Sequence, residues 1–69
     1  MKTFKNAMDQ SCEVVESKQG FNLVKREYKA GKFTYDVYRN GKPTQAIGIG
    51  AKRKNEVFER VIKHAALYN

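Results

Sequence analysis

Apolar and polar positions alternate with two different periods along this chain, and the changes of period mark its elements. Phe4, Ala7, Met8, Ser11 or Cys12, and Val15 recur at helical spacing, which predicts a helix over roughly residues 3 to 13. The same stretch has a second reading, in which Cys12-Glu13-Val14-Val15 is a short strand and Gln19-Gly20 becomes a hairpin turn. From Phe21 the period is two. Phe21-Asn22-Leu23-Val24-Lys25-Arg26-Glu27-Tyr28 runs as a strand up to the breaker Ala30-Gly31. Lys32 to Arg39 alternates more cleanly, with Phe33, Tyr35 and Val37 expected to face a core and Thr34, Asp36 and Tyr38 to face the other way.

Asn40-Gly41 is a strong hairpin signal, since both residue types tolerate the positive φ of a type I′ turn, and Thr44 to Ile49 should return as an antiparallel strand. Beyond Gly50, Val57, Phe58, Val61, Ile62 and Ala65 form one stripe while Glu56, Glu59, Arg60 and Lys63 stay outside, predicting a helix from about residue 53 to 67. The order α, β, β, β, α makes the fold class α+β: a three-stranded antiparallel sheet, four-stranded on the second reading, with N-terminal and C-terminal helices on one face. No repeat or linker divides the chain, so residues 1–69 read as one domain.

Charge adds a partner to this picture. Fourteen basic against seven acidic residues give +7, a self-repulsion that a polyanionic ligand would relieve. Lys2, Lys5 and Lys18 cancel Asp9, Glu13 and Glu16 in residues 1 to 20, so the excess belongs to residues 21 to 69, where eleven cations face four acids. The single cysteine, Cys12, excludes an intrachain disulfide and fits a reduced, cytoplasmic setting. No apolar run has the length of a signal peptide core or a membrane span, so no membrane association is expected.

The most informative segment is Gly48-Ile49-Gly50-Ala51-Lys52-Arg53-Lys54, where three cations stand at the start of the last helix. That end of a helix carries partial positive charge, so each cation costs roughly a few tenths of a kcal/mol unless an anion is near. A phosphate would turn the conflict into a binding site, with backbone N–H groups and the side chains of Lys52, Arg53 and Lys54 converging on it. The Gly pair is no nucleotide fingerprint: Arg53 stands where a dinucleotide site needs a third Gly, and no Gly-Lys-Ser/Thr follows.

Phe33-Thr34-Tyr35-Asp36-Val37-Tyr38, Gly41-Lys42, Gly48-Ile49-Gly50, Lys52-Arg53-Lys54 and Ala65-Ala66-Leu67 together resemble the second half of double-stranded RNA-binding domains. The resemblance implies phosphate contacts by Lys52, Arg53 and Lys54. Lys29-Ala30-Gly31 is shorter than that family's first strand loop and lacks its Gly-Pro and His, so the minor-groove contact does not carry over. A three-stranded sheet with Asn-Gly-Lys in its second turn and a closing helix also resembles the DNA-binding domains of plant ethylene-response factors and the arm-binding domains of phage integrases. That likeness implies readout by the sheet, through Arg26, Tyr28, Thr34, Tyr38 and Arg39.

Tyr28, Tyr35, Tyr38 and Phe33 interleave with Lys25, Arg26, Lys32 and Arg39, the pattern of a sheet that stacks bases while its cations track phosphates. Alternation assigns Phe33 and Tyr35 to the core and leaves Tyr28 and Tyr38 for the surface. The expected interface is therefore Lys52, Arg53, Lys54, Arg26, Arg39, Lys42 and Tyr38, on RNA or DNA, in a monomer or weak homodimer. His64 has no second ligand near it, Cys12 reads as a small buried hydrophobe, and no nucleophile, metal set or carboxylate pair is arranged for chemistry, so neither catalysis nor a cofactor is expected. The alternative is a small regulator or inhibitor, of the kind phages encode, that binds a host protein.

Overall fold

A computed structural model describes residues 2–65. Its elements are β1 (Thr3–Lys5), β2 (Ser11–Lys18), β3 (Phe21–Lys29), β4 (Lys32–Arg39), β5 (Lys42–Pro43) and α1 (Lys54–Ala65). The strands form one antiparallel meander in the order β1-β2-β3-β4-β5. The fold is α+β, but with five strands and one helix among the described residues.

The N-terminal helix expected over residues 3 to 13 is absent; the stretch is β1, a loop and the start of β2. Its helical spacing came from Ala7 and Met8, which sit exposed in that loop, and from Phe4 and Cys12, which are instead cross-strand partners. Local polar chemistry makes the loop. The Asn6 side-chain oxygen accepts the backbone N–H groups of Met8 and Gln10, an arrangement that competes with helix, and Asp9 turns the chain at φ 60°. The strand reading of Cys12 to Val15 holds, with Gln19 (φ 54°) and Gly20 (φ 85°) as the hairpin turn. Asn40 (φ 52°) and Gly41 (φ 79°) make the expected positive-φ turn into β5.

The return strand is shorter than Thr44 to Ile49 implied. Regular pairing ends at Pro43, which has no N–H to give a ladder. Residues 44–50 then follow β4 irregularly: Thr44 N–H donates to the Val37 carbonyl (2.9 Å), Val37 N–H to that of Ala46 (2.8 Å), and Tyr35 and Ile49 exchange both bonds (2.8 and 2.9 Å). Helix α1 begins at Lys54; Ala66 and Leu67, the end of the predicted helix, lie outside the described residues.

Each face of the sheet has its own core. Phe21, Leu23 and Val37 meet Ile49, Phe58 and Ile62 beneath the helix, and Val15, Val57 and Val61 pack around them. Cys12, Val24 and Tyr38, with Phe4 and Val14, fill the opposite face. That second face is concave. Phe4 on β1 and Tyr38 on β4 are three strands apart, about 14 Å in a flat sheet, yet their rings meet edge to face with centroids 5.5 Å apart. A bulge at Val15, where the β2–β3 register shifts between Val14 and Glu16, supplies the extra twist that such a curl needs. No helix of the described residues is long and apolar enough to cross a membrane.

Candidate nucleic-acid interface

Ile49 pairs with Tyr35 and only a short turn, closed by Arg53 N–H donating to the Gly50 carbonyl (3.0 Å), separates it from α1. The helix must therefore start level with Tyr35. From there it runs toward the Phe21–Arg39 end of the sheet, where Val61, His64 and Ala65 share a groove with Phe21 and Arg39. Phe33, one pleat before Tyr35 on the same face, lies beyond the reach of the helix and is 48 % exposed. The sequence pattern assigned it to the core; the position of the helix start overrides the alternation.

This placement assembles cations and aromatic rings on one floor. Lys54 Nζ lies over the Tyr35 ring, 5.5 Å from its centroid, and Lys25 Nζ over Phe33 at 4.3 Å. Lys25 and Tyr35 are directly opposite each other across β3 and β4. Two weak cation–π contacts, each worth about 0.5–1 kcal/mol at exposed sites, hold the lysines against the sheet. Lys52 projects from the turn just outside, exposed and without an ion-pair partner among the described residues.

Of the three helix-start cations, Arg53 is the one already compensated. Glu56 in the first turn lies 3.6 Å from its Nε and also accepts from Arg60 at 3.1 Å. The conflict between helix end and cations thus falls on Lys52 and Lys54. At the other end of α1, Lys63 stands in the last turn, where positive charge suits the dipole.

The remaining expected residues do not join this surface. Arg39 and Lys42 sit four or more residues further along the meander from Tyr35, roughly 13 Å away at strand rise, and the Arg39 guanidinium lies 5.1 Å from the Phe21 ring centroid. Tyr38, expected at the surface, is 8 % exposed because the curl folds Phe4 over it. Arg26, also expected outside, is committed to Asp36: Nε donates to Oδ2 at 2.8 Å and Nη2 to Oδ1 at 3.3 Å, while Nη1 reaches Gln10 Oε1 at 3.0 Å. Asp36 also accepts the Gly48 N–H at 3.0 Å, so this pair ties β3, β4, the β1–β2 loop and the segment leading to α1 together. Tyr28 is 44 % exposed, as alternation required.

Two protons on the concave face are held tightly. Burial pushes the Cys12 thiol above its ordinary pKa, with the Asp36 charge adding to it, and burial raises the Tyr38 phenol, with Cys12 and Asp36 adding to that. Cys12 is buried at 3 % exposure, the place expected of a small hydrophobe.

No protein-family model matches the chain, and neither a curated protein nor a solved structure does. The functional reading rests on the residues themselves.

Proposed function

We propose that the chain is a non-catalytic nucleic-acid-binding protein whose phosphate contacts come from the start of its C-terminal helix. One observation carries the reading: Lys52 and Lys54, at the positive end of α1, share an open surface with Lys25 and the exposed Phe33 ring. A phosphate there would offset the unfavourable cation–dipole pairing, and each cation that meets a phosphate releases a counterion. Arg39 and Lys42 would add only long-range attraction from the far end. A reduced, cytoplasmic setting goes with this reading, given a lone cysteine that is buried.

The test is fluorescence anisotropy with labelled RNA and DNA, single- and double-stranded, at two salt concentrations. Affinity should fall steeply with salt, and the joint substitution Lys52→Ala, Arg53→Ala, Lys54→Ala should flatten the log–log slope for each phosphate lost by about 0.9 on a duplex and about 0.7 on a single strand. The thermal melt should fall by no more than a few degrees, because the exposed Arg53–Glu56 pair and the weak Lys54–Tyr35 contact are each worth less than about 1 kcal/mol, and relief of the cation–dipole conflict offsets part of their loss. Binding with an unchanged slope in the triple variant would exclude the helix start as the phosphate site.

A second reading has an observation of its own. Met8 (75 % exposed) and Ile47 (58 % exposed) line one groove on the concave side together with Phe4 and Pro43, an apolar rim of the sort that docks on proteins. If no nucleic acid binds at low salt, the small regulator of a host protein becomes the better account, and loss of a captured partner on substitution of Met8 and Ile47 by Ser would support it.

A further inference from the structure

Resting on the nucleic-acid reading, we infer that the ligand is single-stranded and that the Phe33 ring is the platform on which one of its bases stacks. Phe33, 48 % exposed, and Tyr28, 44 % exposed, are the large aromatic side chains left open to solvent among the described residues, and Tyr35 follows Phe33 on the same face of β4. One pleat, two residues of a strand, separates neighbouring same-face residues by about 6.7 Å, a step that an extended single strand can match. Lys25 covers one side of the Phe33 ring, so the exposure that remains belongs to the other side and the rim. A base has a π-face whatever its identity, and stacking on such a ring is sequence-tolerant.

Charge fixes the direction of the chain over this floor. By register, Glu13 lies opposite Lys25 and Glu27 opposite Phe33, and the Glu27 carboxylate accepts the Gly31 N–H at 3.0 Å. Phosphates cannot run over these acids. They run instead along the helix start, past Lys54 and Lys52, while the bases turn inward to the sheet. The groove beside Phe33, about 510 Å³, is mainly apolar, and the polar groups on its wall, among them Thr3, Ser11, Lys25 and Glu27, suit the edge of an unpaired base.

A duplex hides its bases from such a floor. The turn at Ala30-Gly31 between β3 and β4 is too short to probe a groove. Only unpaired bases can use Phe33.

The experiment compares the wild-type chain with Phe33→Ala on labelled oligo-U, oligo-dT and a duplex of equal length. Single strands should bind more tightly than the duplex, and Phe33→Ala should lose about 5- to 100-fold on the single strands with an unchanged salt slope, since stacking releases no counterions. A far-UV melt checks the fold, which an exposed ring supports little. Because the chain has no tryptophan, Phe33→Trp places a lone indole at the platform, and single strands should quench it. Equal affinity of Phe33→Ala and wild type for the single strands, or an unquenched Phe33→Trp in a bound complex, overturns the inference while leaving the nucleic-acid reading intact. Failure of every oligonucleotide to bind at low salt overturns both.

Discussion

Asp36→Ala should remove about a third or more of this protein's stability, although Asp36 touches no proposed ligand. Its side chain is 5 % exposed and that of Arg26 17 %. Removing one partner of a buried ion pair leaves the other charge uncompensated, which costs about 3–5 kcal/mol. Arg26 keeps its bond to Gln10 and a little solvent, so the lower end applies; Gly48 N–H also loses its acceptor, but in an exposed segment where water replaces it. About 3 kcal/mol is then expected. A domain of this length has only about 3–10 kcal/mol in all.

Asp36→Asn keeps the shape and an acceptor while turning two charge-assisted bonds into neutral ones, for a loss of about 2 kcal/mol. The joint change Arg26→Met with Asp36→Leu removes both charges and should be more stable than Asp36→Ala alone. Urea unfolding of the four proteins followed by far-UV circular dichroism at neutral pH measures these differences. A loss below about 1 kcal/mol in Asp36→Ala would mean that water already solvates the pair, and a double variant as weak as the single would move the cause from charge to packing. The result also bears on function: weaker binding in any Arg26 variant must be corrected for unfolding before Arg26 is credited with a contact.

Gly41→Ala should cost about 1–2 kcal/mol, since φ is 79° there and no atom lies within 4 Å of the added methyl, leaving the backbone as the only source of strain. A melting temperature lowered by several degrees would agree with this, and no change would not. The contribution of Cys12 and Tyr38 to stability should be level up to about pH 8 and fall above it. The unfolded thiol and phenol ionise near their ordinary values, about 8.5 and 10, whereas the folded Cys12 and Tyr38 hold their protons to higher pH, so the unfolded state loses protons first and gains on the folded one. Urea midpoints across this range should decline less in the joint variant Cys12→Ala, Tyr38→Phe; parallel decline would show that other groups are responsible.

The strands β3 and β4, the Asn40-Gly41 turn and the C-terminal helix were legible because each carries a local signal that tertiary structure does not contest: a period of two, a positive-φ pair, an apolar stripe at helical spacing. The N-terminus was not, because Phe4, Ala7 and Met8 happen to fall at helical intervals while the decisive chemistry, the Asn6 side chain taking two backbone N–H groups, is invisible to periodicity. The short β5 follows from Pro43 and could have been foreseen on that ground.

The site divides in the same way. Lys52 to Lys54 were legible as cations at a helix start, and α1 does begin at Lys54; their contact with phosphate is the proposal, not part of the fold. Which sheet residues accompany them depends on two long-range facts: where the helix begins along β4, and which way the sheet curls. Both act on Phe33 and Tyr38, aromatic residues five positions apart whose expected roles are exchanged. The curl carries Phe4 across β2 and β3 to bury Tyr38, and the pairing of Ile49 with Tyr35 sets the helix one pleat too far along to bury Phe33. Alternation predicts which face a residue joins, and here it did so correctly for both; it carries no information on how far along the strand each face is covered. An aromatic left uncovered at the end of a covered face, beside the cations that end the cover, is therefore where a ligand for this sheet is to be sought.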